Sequence, residues 1–154
     1  MTEPLAARLA SLLTAGTPAV LVPVAEARGS TPREVGAAML VTEDRGFGTI
    51  GGGRLEWECL AQARKLLASG RAEDFVEIPL GPAVGQCCGG HVRIRLRRAG
   101  AAERAELEAA GAAAEAALPT VLLFGAGHVG RALAAALAPL PLLLRWIDAR
   151  AGDW

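Results

Sequence analysis

Apolar residues recur every three or four positions in some segments of this chain and every second position in others. The helical period predicts helices over residues 4–15, from Arg54 to Gly70, and from the glycine-rich turn at 125–130 to about Ala138. Predicted strands, in chain order, cover residues 19–26, 35–42, 47–50, 76–80, 92–97, 121–124 and 142–147. The first three strands follow one another through short turns, which indicates a small antiparallel meander.

A change of composition divides these elements into two groups. Residues 99–117 are nearly all Ala, Glu and Gly, which is typical of a helical linker or a surface helix. We therefore predict an α/β fold class with a small N-terminal α/β domain over residues 1–98, whose sheet is mixed or antiparallel. A linker over 99–118 leads to a truncated Rossmann-like domain, a partial βαβ unit, over 119–154.

Composition and charge exclude several classes of function. Of the 154 residues, 52% are hydrophobic and 21% charged, which predicts a globular chain. Sixteen basic residues balance sixteen acidic ones, so nucleic acid is not an expected partner. The longest apolar run, 132–144, is too short to cross a bilayer and contains two prolines, and the N-terminus lacks the features of a signal peptide. We expect a cytoplasmic protein without membrane contact.

The segment Gly125-Ala126-Gly127-His128-Val129-Gly130 follows a predicted strand and opens a helix, and Asp148 ends the next strand. This pattern is typical of a dinucleotide-binding turn: the glycines let the backbone approach a pyrophosphate, and the acid accepts from a ribose hydroxyl. Alternatively, the glycines only permit close helix–strand packing. Because the sequence ends six residues after Asp148, we expect either a partner to cover the second strand or the chain to be a truncated product.

A second glycine-rich segment contains adjacent cysteines, in the order Gly85-Gln86-Cys87-Cys88-Gly89-Gly90. Thiolates are soft ligands for copper, zinc or iron–sulfur clusters, and the arginines that follow favour the deprotonated form. A zinc site alone is not expected, because the spacing lacks four suitable ligands. Alternatively, Cys87 and Cys88 pack as small hydrophobic residues, which is the preferred interpretation for Cys59.

A third cluster, Gly51-Gly52-Gly53, leads directly into a helix, whose N-terminus is a ready site for phosphate or carboxylate. The preceding turn offers further donors, namely Arg28, Ser30, Thr31 and Arg33. The alternative is two tight turns and a capped helix. Glu56 and Glu58 are explained by the helix dipole and need no other role.

Taken in order, these motifs resemble the XdhC/CoxI family. The resemblance rests on Arg28-Gly29-Ser30-Thr31-Pro32-Arg33, Gly48-Thr49-Ile50-Gly51-Gly52-Gly53, Gly85-Gln86-Cys87-Cys88-Gly89-Gly90 and Phe124-Gly125-Ala126-Gly127-His128-Val129-Gly130, and covers nearly the whole chain. It implies an N-terminal α/β domain followed by a Rossmann-like domain, and a non-catalytic accessory protein of molybdenum hydroxylases such as xanthine dehydrogenase. Such a protein binds the molybdenum cofactor, a molybdopterin, protects its sulfurated form and delivers it.

The resemblance also implies partners and sites. The partners are a molybdenum hydroxylase apoenzyme and a cysteine desulfurase, and we expect a homodimer because the strand near residue 145 lacks cover. Gly51–Gly53 with Arg28 and Arg33 would hold the phosphate, and Cys87 or Cys88 would contact molybdenum or protect its sulfido ligand. Family members usually continue beyond the second Rossmann strand, so nucleotide binding by this chain is open.

Two other functions stay open on sequence grounds. One is an NAD(P)-dependent oxidoreductase that uses the turn at 125–130 with Asp148 and a cysteine. The other is an interaction module whose basic strand, where Arg93, Arg95 and Arg97 alternate with apolar residues, docks an acidic partner.

Overall fold

The computed structural model describes residues 3–80 and 90–150. Two compact units divide the chain, one over residues 3–108 and one from residue 109 onward, and the division falls inside a helix. The first unit holds α1 (Leu5–Thr14), β1 (Val20–Arg28), β2 (Ala38–Val41), β3 (Gly46–Gly48), α2 (Gly53–Ser69), β4 (Glu73–Leu80) and β5 (Gly90–Arg98). The helix α3 (Ala101–Ala116) crosses the division, and β6 (Thr120–Phe124), α4 (His128–Leu137) and β7 (Leu143–Ile147) follow it.

The first unit is built on a five-stranded antiparallel sheet in the order β3-β2-β1-β5-β4. The meander predicted for the first three strands is confirmed, because β2 lies between its chain neighbours. The long β5 pairs with both β1 and β4, and a bulge interrupts its pairing with β1 between Val24 and Glu26. The predicted α/β class with an antiparallel sheet is therefore confirmed.

One face of this sheet is covered by α2. Leu55, Cys59, Ala63 and Leu66 repeat at helical spacing and are all buried against the sheet. The facing positions on the strands are Val, Ile, Met and Leu at every second residue, as in β5 with Val92, Ile94 and Leu96. The helix ends at Gly70, which has the left-handed conformation that glycine adopts without a Cβ clash.

The other face is covered only in part. Leu9 of α1 packs with Leu21 and Leu40, and Leu107 of α3 contacts the same cluster. The remaining positions of this face, on β4 and β5, are mostly charged and also include Phe75, Pro79 and His91.

The second unit contains a parallel βαβ motif, as predicted. Strands β6 and β7 pair in parallel with Thr120 opposite Leu143 and Phe124 opposite Ile147, and α4 is the crossover. On one face of this two-stranded sheet, Leu122 is 53% exposed and Phe124 70% exposed. Parallel sheets normally carry cover on both faces, whereas this face leaves apolar side chains exposed.

Candidate functional site

The glycine turns of the first unit meet at one end of its sheet. Strand β1 ends at Arg28, β4 ends at Leu80, β5 begins at Gly90, and α2 begins at Gly53. Neighbouring strands run in opposite directions, so the end of β1 and the start of β5 lie side by side, with Arg28 opposite His91. We call this end of the sheet, where these strands start or stop, the glycine-turn end.

The turn after β1 packs directly against the turn before α2. A Cβ atom on Gly51 would lie 2.6 Å from Cγ of Pro32 and 3.7 Å from Cγ of Arg33. Gly51 also has φ +127°, a conformation that other residues rarely adopt. Glycine is therefore required here for both close approach and backbone conformation, and it brings Arg33 beside the start of α2.

Gly90 makes a second close approach at the same end. A Cβ atom there would overlap the carbonyl oxygen of Ser30 and lie 2.7 Å from the carbonyl oxygen of Arg28. The chain that leaves the sheet at Leu80 thus returns against the turn after β1, and Leu80 and Gly90 are paired. The structure brings together the two glycine clusters that the sequence analysis assigned to one ligand, as far as their described residues go.

The N-terminus of α2 is held by a side chain from within the helix. Oε1 of Glu56 accepts hydrogen bonds from the backbone N–H of Ile50, at 3.0 Å, and from the hydroxyl of Thr49, at 2.7 Å. The N–H of Gly51 in turn donates to Oγ1 of Thr49 at 3.2 Å. The interpretation that Glu56 needs only the helix dipole was therefore wrong, because its carboxylate also fixes the glycine turn.

Donors remain available around this turn. The N-cap residue Gly52 makes no side-chain capping bond, has φ +75°, and faces open space where a Cβ would stand. Arg33 is exposed and makes no ion pair within the described residues, whereas Arg28 is paired with Glu26 at 3.2 Å. Ser30 is exposed and Thr31 half-buried. The arrangement offers free backbone N–H groups and one uncommitted guanidinium to an anion.

The predicted thiol residues fall into two groups. Gln86, Cys87 and Cys88 lie outside the described residues. Cys59 is fully buried in the core, and burial, assisted by Glu58 and Glu56, raises the pKa of its thiol to about 12. The packing interpretation of Cys59 is therefore confirmed. Within residues 3–80 and 90–150, no group of three or more His, Cys, Asp or Glu side chains is arranged to hold a metal ion.

The arginines of β5 do not form a free basic surface. Arg95 pairs with Glu73 of β4 at 2.6 Å, and Arg97 pairs with Glu106 of α3 at 2.7 Å. Arg93 pairs with Glu26 at 3.1 Å and stacks over the ring of Phe75. The hydrogen bond from Arg93 is the main reason why the pKa of Glu26 is lowered. These contacts neutralise the strand that the sequence suggested as a dock for an acidic partner.

The glycine turn of the second unit is closed by Asp148. Its Oδ2 accepts from the N–H of Ala126 at 2.5 Å and from Arg150 at 2.6 Å, and its Oδ1 accepts two further bonds from Arg150. These bonds, chiefly those from Arg150, hold the pKa of Asp148 well below its usual range. The carboxylate assigned to a ribose hydroxyl thus already has partners within the chain.

Close packing also accounts for part of this turn. A Cβ atom on Gly130 would overlap the carbonyl oxygen of Gly125, which in turn accepts a hydrogen bond from Nε1 of Trp146 at 3.0 Å. Gly125 has φ +94°, while Gly127 is the N-cap of α4 without a side-chain cap. Beside the turn lies a cavity of about 400 Å³, whose lining includes His128, Val129 and Leu133.

A larger cavity lies at the other end of the first unit's sheet. It has a volume of about 520 Å³ and opens between the β2–β3 turn and the C-terminal part of α2. Its lining residues are Thr17, Pro18, Thr42, Glu43, Asp44, Arg64, Leu67, Ala68 and Arg98. Arg98 donates to the carbonyl oxygens of Leu66 and Leu67, so its guanidinium serves to cap α2.

An α/β unit followed by a parallel βαβ unit agrees with the fold that the family resemblance implies, an N-terminal α/β domain followed by a Rossmann-like domain. The family model for the XdhC and CoxI family matches residues 12–79. The matched segment runs from α1 through most of β4. No curated protein matches the chain.

A solved structure shares the fold. It is described as a crystal structure of a xanthine dehydrogenase from Bacillus halodurans, and it superimposes with a TM-score of 0.71 at 17% identity. The match covers 94% of this chain and 62% of that one. This chain therefore spans less than two thirds of the length of the similar structure.

In the described part of the chain, none of the helices has the length and hydropathy needed to cross a bilayer.

Proposed function

We propose that this protein binds the molybdenum cofactor, protects it and delivers it to a molybdenum hydroxylase, without catalysing a reaction itself. The observation that carries the proposal is the packing of the turn after β1 against two glycines: Pro32 lies against Gly51, just before the start of α2, and the carbonyl oxygens of Arg28 and Ser30 lie against Gly90. The match of residues 12–79 to the XdhC and CoxI family, and the fold shared with a structure described as a xanthine dehydrogenase, support it.

The described residues suit the phosphate of a molybdopterin. Among the described residues no side chain caps the N–H groups at the start of α2, and the helix dipole favours a negative group there. Gly52 leaves room for the ligand to approach the backbone, and Arg33 adds a charge-assisted donor. Glu56 would keep the turn in place, because its carboxylate is occupied by Ile50 and Thr49. In the proposal Arg28, Ser30 and Thr31 line the approach to this anion site.

The paired thiols would contact the metal centre of the cofactor. The segment that carries Gln86, Cys87 and Cys88 is joined to the glycine-turn end at both of its ends, through Leu80 and Gly90. A soft thiolate would suit the molybdenum centre or its sulfido ligand. When bound, the cofactor supplies the oxidation chemistry of the recipient hydroxylase, and this chain contributes binding and shielding.

The proposal includes partners. The recipient is a molybdenum hydroxylase apoenzyme, and a cysteine desulfurase would supply the sulfur of the sulfurated form. We propose that the protein is cytoplasmic. We also propose that it forms a homodimer, because the apolar face of the β6–β7 sheet exposes Leu122 and Phe124. Native mass measured with and without Phe124→Ser tests the dimer: a dimer that persists in the variant would place its interface elsewhere.

Cofactor content tests the central claim. The chain is co-expressed with the cofactor biosynthetic pathway and purified without oxygen, and molybdenum and pterin are measured per chain. Arg33→Ala, Cys87→Ala and Cys88→Ala are compared with Arg45→Ala, which removes an exposed arginine at the other end of the sheet. We expect near-stoichiometric cofactor in the wild type and in Arg45→Ala, and about ten- to hundredfold weaker retention in Arg33→Ala, since one charge-assisted bond is worth about 1.5–3 kcal/mol.

Three results would contradict the proposal or a part of it. A wild-type chain that carries neither molybdenum nor pterin after co-expression is not a cofactor carrier. Full cofactor in both cysteine variants would remove the thiols from the site, and equal loss in Arg33→Ala and Arg45→Ala would show that the effect is not local.

Nucleotide binding at the second unit is a separate candidate, favoured by the cavity of about 400 Å³ beside Gly125, Gly127, His128 and Gly130. A ribose hydroxyl at Asp148 would have to displace Arg150, so Arg150→Ala should strengthen binding if the acid is the ribose acceptor. Titration with NAD and NADP tests this function. Turnover of the nicotinamide, if also found, would favour the oxidoreductase alternative over the carrier.

A further inference from the structure

The outward side of α2 carries an exposed tryptophan. Trp57 is 76% exposed, the largest value among the exposed large hydrophobic residues of the first unit. Tryptophan is usually largely buried, and leaving it in water forgoes a large hydrophobic gain. The opposite side of the helix is anchored in the core through Cys59 and Ala63, so the indole is presented on a rigid element.

Other exposed residues extend this surface along the helix. They recur at intervals of three and four positions and so share one side of α2. The set, which we call the α2 outer face, is Arg54, Trp57, Ala61, Arg64, Lys65 and Ala68, all exposed. The two alanines leave the helix backbone open to close approach by a partner.

The charge of this face is only partly balanced. Arg54 is paired with Glu58 at 2.7 Å. Neither Arg64 nor Lys65 forms an ion pair with any residue in the ranges 3–80 and 90–150. Arg64 shares the larger cavity with Glu43 and Asp44, toward the C-terminal part of the helix and away from Trp57. The face therefore combines an exposed indole with an arginine and a lysine that form no ion pair within the described residues, and tryptophan and arginine are enriched at the energetic centres of protein interfaces.

We propose that the α2 outer face docks an acidic surface of the apo molybdenum hydroxylase, with Trp57 as the apolar anchor and Arg64 and Lys65 as the complementary charges. The proposal rests on the proposed function and names the surface through which the recipient is engaged. Its position fits delivery, because Trp57 follows the glycine turn at 51–53 by one turn of the same helix. A recipient seated on this face would lie beside the proposed cofactor site.

Binding to cofactor-free xanthine dehydrogenase, immobilised on a sensor surface, tests the proposal. Trp57→Ala should weaken the affinity about tenfold or more, as expected for a central aromatic anchor. The double variant Arg64→Glu with Lys65→Glu should bind more weakly than Trp57→Ala. The affinity of this double variant should also depend less on the salt concentration than that of the wild type. Phe75→Ala is the matched control, because Phe75 is an exposed aromatic residue on the other side of the sheet. The affinity of this variant for the apoenzyme should equal that of the wild type.

Molybdenum content of the same variants separates this proposal from the function on which it rests. Trp57→Ala should retain the cofactor content of the wild type. Loss of cofactor in that variant would make Trp57 a cofactor contact and overturn the docking role. Unchanged affinity in Trp57→Ala, or a parallel loss in Phe75→Ala, would overturn it too. Binding of a duplex DNA that depends on Trp57, Arg64 and Lys65, without apoenzyme binding, would show a different partner. A cofactor-free wild type that still binds the apoenzyme would refute only the proposed function.

Discussion

The bonds from Glu56 to the glycine turn give the sharpest prediction about the site. Glu56→Ala removes the acceptor of the Ile50 N–H and of the Thr49 hydroxyl. The hydroxyl is exposed and can turn to water, whereas the Ile50 bond is partly buried and the Ile50 side chain is fully buried. A buried donor left without a partner costs about 1–3 kcal/mol. We therefore expect Glu56→Ala to destabilise the turn by about 1–2 kcal/mol.

Two companion variants make the measurement specific. Glu56→Gln keeps an oxygen in the same place but loses the charge, which roughly halves the strength of the bonds, so it should fall between the wild type and the alanine variant. Glu58→Ala removes a neighbouring acid that forms an exposed ion pair with Arg54, and it should cost less than about 0.5 kcal/mol. The series separates the hydrogen bonds from helix-dipole and charge effects.

Amide hydrogen exchange at Ile50 is the assay, because it reports the opening of the turn itself. A loss of 1.4 kcal/mol corresponds to about a tenfold faster exchange. We expect the order wild type, Glu56→Gln, Glu56→Ala from slowest to fastest, with Glu58→Ala close to the wild type. Equal exchange in Glu56→Ala and Glu58→Ala would show that the turn holds its shape without Glu56, and the reasoning would be wrong.

Three further changes test the packing of the described residues. Gly51→Ala should lower the free energy of unfolding in urea denaturation by about 1–3 kcal/mol or more. The φ angle of Gly51 is +127°, and Pro32 occupies the space that the added methyl group would need. Gly130→Ala should destabilise the βαβ unit by about 1–3 kcal/mol, seen as faster exchange in β6 and β7, because the methyl overlaps Gly125. Cys59 should resist iodoacetamide at pH 8 in the native chain and react only after denaturation, because its raised pKa of about 12 keeps the thiol protonated; native labelling at Cys59 would refute this.

Local periodicity was enough to predict the elements, because burial on one face imposes it. Leu55, Cys59, Ala63 and Leu66 are spaced as a helix requires, and Val92, Ile94 and Leu96 as a strand requires. The parallel βαβ unit could likewise be predicted from two apolar strands around a glycine turn. In each case the signal lies within about a dozen residues of sequence, and tertiary packing agrees with it.

The errors concern charges, whose partners depend on register. The arginines of β5 suggested a docking strand, but their carboxylates come from three other elements: Glu26 on β1, Glu73 on β4 and Glu106 on α3. No local pattern contains these pairings, because they depend on which strands are neighbours and on how α3 packs against the face of the sheet. The partner of Glu56 could not be read from a local pattern either. Its carboxylate reaches the N–H of Ile50 because the positive φ angles of Gly51 and Gly52 fold the chain back toward the helix.

Helix α2 connects the two roles argued for this chain. Its first turn faces the glycine-turn end, where Arg33 and free N–H groups can hold an anion, and its outer side presents Trp57 only one turn further on. Because its inner side is locked in the core by Leu55 and Cys59, the helix cannot shift to serve one role without moving the sheet. The proposed cofactor site and the proposed docking face are therefore held at a fixed spacing, so in this proposal a bound recipient would meet the cofactor from one defined direction.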